Sequence, residues 1–307
     1  MTARHAIRFG SLGYLALILV APVSLIFWRA FEHGFHPFWA AISNPTAVHA
    51  LKLTLEIAVI AMPANAIFGV ACSLAIVRHR IPGMGLVNAV VDLPMALSPV
   101  VVGLALYLLY ARDGWFGGWL FGHGVHVLFA LPSMLLATIF VSLPFVVREV
   151  VPVLREIGTE QEEAAATLGA APFTTFRRIT LPAIRWAVAY GVVLTTARCL
   201  GEFGAVSIVS GGIAGRTQTM TQYVQASCEN FDQTGAYSAS VLLAVLAIAT
   251  LLGMTVLRTR FRMNAMSPER ARRRAAASSV APIVELSALP ASLHRIRRIA
   301  PRRRASS

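Results

Sequence analysis

The sequence predicts an all-α integral membrane protein with six transmembrane helices, and three observations carry that expectation. The 307-residue chain is 56% hydrophobic and only 13% charged, about half the charged share of a soluble domain. Its apolar residues gather in six runs, each near the roughly 20 residues a helix needs to cross a bilayer. Its basic residues, 26 arginines and the single Lys52, stand between those runs and in the C-terminal tail, which is how membrane topology is written. The net charge of +13 therefore needs no nucleic acid to explain it.

The expected spans are residues 11–28, 53–77, 86–110, 125–147, 186–209 and 237–257. Arg4 and Arg8 ahead of the first run give it the look of a secretory signal. No small-x-small cleavage site follows, and Phe27, Trp28 and Phe31 close the run, so it is read as a retained helix. With residues 1–10 inside, twenty-two Lys and Arg side chains fall on the inner side. Arg29, Lys52, Arg112 and Arg216 fall outside, and Arg198 within a span. Both termini are thus expected in the cytoplasm. Pro22, Pro63, Pro94, Pro99, Pro132 and Pro144 punctuate the spans. They fit either bent helices around a cavity or ordinary membrane-helix composition. Cys72 and Cys199 lie inside apolar runs and read as small buried hydrophobes. Residues 261–307 carry RARRR, IRR and PRRR among Ala, Ser and Pro. They are expected to form a disordered cytoplasmic tail, either solvated or touching anionic headgroups.

Between the fourth and fifth runs lies a polar segment, residues 159–182, TEQEEAAATLGAAPFTTFRRITLP. Thr159-x-x-Glu162 has the capping-box spacing, and Glu162 and Glu163 suit the positive end of a helix dipole. Ala164, Ala165 and Ala166 favour the helix and leave a smooth face. Gly169 suits the left-handed residue that ends it, and Pro172 the first turn of a second short helix. That helix would carry Phe173, Phe176 and Ile179 on one ridge and end at Leu181-Pro182. The segment reads either as a connector lying on its own protein or as a docking surface.

Glu163, Ala164, Ala165, Gly169, Ile179, Leu181 and Pro182 match EAA-x3-G-x9-I-x-LP at every spacing. The segment resembles the EAA motif of ABC importer membrane subunits. Residues 92–104, 143–170 and 179–211 are similar to the same parts of sulfate/thiosulfate importer permeases of the W type, a likeness covering roughly residues 10–260. The GEFGA element at 201–205 is shared with molybdate permeases, so the same machine carrying molybdate or tungstate is the alternative. The resemblance implies a type I importer (MetI-like) fold, with residues 159–182 as the cytoplasmic coupling helix that fits a cleft on a separate ATPase. Gly169 and the Ala face would make the close contact, and Glu163 would steady the loop. The implied partners are a second, similar permease subunit forming a heterodimer, two copies of an ATPase subunit, and a periplasmic sulfate- or thiosulfate-binding protein. The implied location is the bacterial inner membrane. ATP and magnesium would be held by the ATPase, with no cofactor in this chain. In agreement, a Walker A loop needs a lysine, and the only one is Lys52 in HALKLTLE. The chain is therefore expected to be a transport subunit and not an enzyme.

Charges inside the spans are the remaining signal. Arg198 lies about 18 Å from the inner edge of the fifth run at the helical rise. A central charge costs about 2.5–3.5 kcal/mol on the insertion scale, so Arg198 and Glu202 should face protein or water. Spaced i, i+4, they read either as a gate on the translocation path or as a neutral pair that orients a helix. Asp92 and Ser98, beside Pro94 and Pro99, read equally as path-lining or structural. His33-x-x-His36 and His123-x-x-His126 lack supporting acids or thiols and are weak metal signals. A secondary carrier would need no coupling segment and often shows inverted repeats, none of which is evident. A membrane enzyme would need a nucleophile–base set or a metal cluster, and no convincing one stands among the intramembrane residues.

Overall fold

The computed structural model describes residues 2–79 and 83–265. The expected tail therefore lies outside the described residues from position 266 onward, as do Arg80, Ile81 and Pro82. The chain divides into two units, residues 1–255 and 256–307. Among the described residues every regular element is helical.

The first element, α1 (Thr2–Phe31), is followed by the short α2 (Phe35–Ile42) and the long α3 (Pro45–Arg78). Asn44 caps α3, its Oδ1 accepting the Thr46 N–H at 3.0 Å, and Pro45 occupies the first turn, where a missing donor is harmless. This start precedes the expected residue 53 because the first turns of α3 are amphipathic and drop out of a hydropathy window. At 34 residues, α3 is about 51 Å long, well beyond the roughly 30 Å hydrocarbon core.

The run expected at 86–110 is not one straight span. It divides into α4 (Met84–Ala96) and α5 (Pro99–Tyr110), bent by 111° at the break. Leu97 and Ser98 are extended, Ser98 at φ −63° and ψ 137°, as a residue before proline prefers. Pro99 then opens α5. After the short α6 (Gly117–Gly122), α7 (Leu131–Ile157) starts later and ends later than the expected 125–147. Val125, Val127 and Phe129 are apolar but belong to a loop, which Phe129 pins by donating its N–H to Val209 O at 2.9 Å. The polar segment at residues 159–182 holds α8 (Glu160–Thr167), α9 (Pro172–Thr175) and a π turn (Phe176–Thr180), and runs into α10 (Leu181–Leu200). The run expected to continue to 209 breaks at residues 201–203 and resumes as α11 (Gly204–Ser210). Then come α12 (Met220–Glu229) and α13 (Gln233–Ala265), which runs past the end of the first unit. Five helices are long and apolar enough to cross a membrane, or six if α4 and α5 make one broken span.

The core forms where α3, α7 and α10 meet. Val146, on α7, is fully buried between two glycines. A Cβ at Gly69 of α3 would lie 2.6 Å from Val146 Cβ, and one at Gly191 of α10 would lie 2.8 Å from Val146 Cα. Small residues of this kind let helix backbones approach closely, which drives association where lipid is as apolar as protein. Asn65 of α3 adds a hydrogen bond, its Nδ2 donating to Ser142 Oγ of α7 at 2.7 Å. By contrast, α1 buries none of its most apolar stretch within the chain. Replacing Gly191 with Ala forces α10 off α7 and should cost about 1–3 kcal/mol. A lowered thermal unfolding midpoint in detergent, with membrane insertion intact, is the expected outcome, and an unchanged midpoint contradicts this packing.

A candidate coupling loop and paired charges at the helix breaks

The polar segment at residues 159–182 is built from the residue types its sequence suggested, with two differences. Thr159 sits at the N-cap of α8, but its side chain makes no capping bond to the backbone. Instead its Oγ1 donates to Glu163 Oε1 at 2.6 Å. Glu162, the other half of the expected capping box, turns away to Arg78 and to Thr180, whose Oγ1 donates to Glu162 Oε1 at 2.7 Å. At the far end, Gly169 has φ +80°. The Gly169 N–H reaches Ala166 O and the Ala170 N–H reaches Ala165 O, each at 3.0 Å, the paired bonds of a Schellman ending. A side chain here is disfavoured by conformation, while the space around it is open.

Pro172 opens α9 as expected, but Leu181-Pro182 does not end the second helix. The chain runs on through the π turn into α10, with the Leu181 N–H bonded to Phe176 O. Proline has no N–H and its ring crowds the preceding turn; a π turn widens the helix there and absorbs both effects. The turn also divides the expected apolar ridge. Phe173 stays 71% exposed, while Phe176 packs inward against the cluster of Val70, Val146 and Ile184. Ile179 is half-buried and Thr180 buried, with Leu181 and Pro182 exposed. No residue of α8 is buried in this chain; Glu163, Ala164, Ala166 and Gly169 are exposed and Ala165 half-buried.

The three charges singled out within the spans, Arg198, Glu202 and Asp92, are each paired. Arg198 Nη1 lies 2.7 Å from Glu202 Oε2, with the arginine side chain 29% exposed and the glutamate 2%. The pairing is not along a helix face, because α10 has already ended and Glu202 occupies the break. Its Oε1 accepts the Ala205 N–H at 3.0 Å, starting α11, and its backbone oxygen accepts from Thr221 Oγ1 of α12 at 2.9 Å. Asp92 is held elsewhere, by both Arg148 Nε at 2.8 Å and Arg148 Nη2, a two-pronged pair that joins α4 to α7. Arg148 was counted among the inner-loop arginines from the sequence, and its partnership with a residue 56 positions away has no local signal. Ser98 is exposed and makes no capping hydrogen bond. A Cβ at Gly204 would come 3.0 Å from Pro99 Cβ, so the break at 97–98 and the break at 201–203 lie side by side. His33 lies in a turn and His36 in the first turn of α2, while His123 and His126 follow α6, with His123 Nδ1 2.8 Å from Trp119 O and His126 Nδ1 3.3 Å from Gly124 O. Among the described residues no group of three or more His, Cys, Asp or Glu could hold a metal.

Glu202→Ala would leave a guanidinium and the Ala205 N–H without their acceptor. The expected loss is about 2–3 kcal/mol, less than for a fully enclosed pair because Arg198 keeps some access to water. Glu202→Gln, which retains an acceptor, should lose less. Unfolding midpoints of the two variants in detergent check the order, and equal losses contradict the role of the charge.

Comparison with known proteins places the chain. The profile of the binding-protein-dependent transport system inner membrane component matches residues 66–263. The sulfate transport system permease protein CysW of Synechocystis sp. is 46% identical over 250 residues, 81% of this chain and 91% of that protein. CysW of Escherichia coli K12 is 44% identical over 245 residues, 80% of this chain and 84% of that one. The permease CysT of the same organism is 38% identical over 252 residues, 82% of this chain and 91% of that one. A bacterial ABC transporter that imports the acidic polysaccharide alginate superposes with a TM-score of 0.69, covering 84% of this chain and 95% of that one at 19% identity, a likeness of fold. The chain belongs to the family of binding-protein-dependent transport system inner membrane components, the multi-pass permease subunits of ABC importers.

Proposed function

We propose that the chain is the membrane-spanning subunit of an ATP-driven importer that carries sulfate or thiosulfate into the cytoplasm by alternating access. The observation that carries this reading is the state of α8. It buries none of its residues in this chain, yet it is anchored at its root through Glu162. A stiff helix with an Ala/Gly face and a projecting Phe173 is a surface awaiting a partner, and the partner is the cleft of a separate ATPase. Glu163, Ala164, Ala165 and Gly169 form the contact. Ile179, Leu181 and Pro182 join it to α10. The cargo follows from the relatives, whose names specify sulfate transport. Their division into CysW and CysT types supports a heterodimer with a second permease subunit, and two ATPase copies serve the two coupling loops. A periplasmic binding protein delivers the anion. The concentration of arginines between and after the spans supports a bacterial inner membrane location with both termini in the cytoplasm.

ATP closure of the ATPase pair draws the coupling loops together and opens the spans outward; hydrolysis returns them inward. Unwound backbone at membrane depth is stable only inside protein or along a water-filled path, so the two adjacent breaks mark the path. Ser98 lines it and Arg198 with Glu202 gates it. A guanidinium already neutralised by Glu202 attracts a dianion weakly, which suits a route that must let its cargo go. Asp92, neutralised by Arg148, braces the α4 side.

The test is uptake of radiolabelled sulfate by cells with and without this gene, challenged with thiosulfate or molybdate. Deletion should abolish uptake, with competition by thiosulfate and little by molybdate; loss of molybdate uptake alone would overturn the cargo. Gly169→Asp, tolerable at a left-handed position but placing a charge on the docking face, should lower uptake about tenfold or more at an unchanged membrane level. Normal uptake by that variant would refute the docking assignment.

A further inference from the structure

Beneath the exposed coupling face is a clamp that the motif does not include. Arg78 is the last residue of α3. Its Nε lies 2.9 Å from Glu162 Oε2, with the two side chains only 12% and 21% exposed, and its Nη2 lies 3.1 Å from Glu162 Oε1. The same guanidinium donates to Gly158 O at 2.7 Å and to Leu154 O at 3.3 Å, carbonyls at the end of α7 that would otherwise lack donors. Glu162 in turn holds the hydroxyl of Thr180 in the π turn. Four elements, α3, α7, α8 and the π turn, therefore meet on one carboxylate and one guanidinium.

The other end of α3 reaches the charged break. Thr54, about 36 Å from Arg78 along the helix, accepts the Met220 N–H at 2.9 Å. Thr54 and Ile57 line a small internal void together with Glu202. One helix thus touches the coupling loop at residue 78 and the neighbourhood of Glu202 at residue 54. Glu163, one position on, binds only Thr159 of its own loop and has no such reach.

We propose that the Arg78–Glu162 pair is the tie through which movement of the coupling loop is passed to α3, making Glu162 a positioning residue for transport. The proposal rests on the importer reading above. It separates two neighbouring acids by role, Glu163 facing the docking partner and Glu162 facing the spans.

The test uses the full complex of both permease subunits, ATPase and binding protein in proteoliposomes, reading labelled sulfate taken up per ATP hydrolysed. Glu162→Ala leaves Arg78 its two carbonyl acceptors, so the complex should assemble and hydrolyse ATP while uptake per ATP falls about tenfold. Glu162→Gln, which keeps acceptors for Arg78 and Thr180, should recover much of that ratio. Thr180→Val, which spares the ion pair, should lose less than Glu162→Ala. An unchanged ratio in Glu162→Ala, or a parallel fall of assembly, hydrolysis and uptake, overturns the tie. Absence of ATP-dependent uptake in the unmodified complex instead sinks the importer reading, and the tie with it.

Discussion

An ionisable side chain beside a hydrocarbon layer is stable only with a counter-ion or water, and this fold places ion pairs where its helices end, break or meet. Three of them, Arg78–Glu162, Asp92–Arg148 and Arg198–Glu202, stand at helix ends or breaks or bridge separate helices. Removing one partner from such a pair leaves a charge with nowhere to go, so each pair fixes the elements that carry it. The pairs are also spaced along the structure, one at the coupling loop, one between α4 and α7, and one at the break before α11. The apolar packing around them is tight enough to carry displacement, since Val146 is wedged between Gly69 and Gly191 with no room for a methyl group.

The breaks are the second organising feature. A continuous helix satisfies its own backbone and can sit anywhere in lipid; an interrupted one must be served by neighbours. The two breaks pack against each other, Gly204 on Pro99, and at the second one Glu202 acts on Arg198, Ala205 and Thr221 from one position. That concentration of duties explains why an acid is kept at a place where burial of charge is expensive.

What was legible in the sequence was local. Membrane class and the all-helical fold followed from apolar runs and arginine placement. The short helices of residues 159–182 followed from Ala, Gly and Pro residues that each act on their own turn, and Gly169 is left-handed as expected. The illegible parts depend on distance or on averaging. A hydropathy window smooths over two extended residues, so the 111° bend at Leu97-Ser98 was marked only by Pro94 and Pro99, and the break after Leu200 had no such mark. A capping-box spacing cannot reveal that a better donor waits 84 positions earlier, and Glu162 went to Arg78. Pro182 looked like a stop because proline commonly is one; the π turn that carries the helix past it is settled by packing against α7.

The account's central claim is that the unburied face of α8 is where an ATPase sits. The most direct measurement is site-specific photo-crosslinking in native membranes, with the photoreactive group at Leu168, 88% exposed beside Gly169, and a control at Phe231, equally exposed on another loop. The account predicts that the probe at 168 traps a subunit bearing a Walker A loop, that the yield changes when ATP is bound, and that the probe at 231 does not trap it. Crosslinks from position 168 only to lipid or to this chain itself would contradict it.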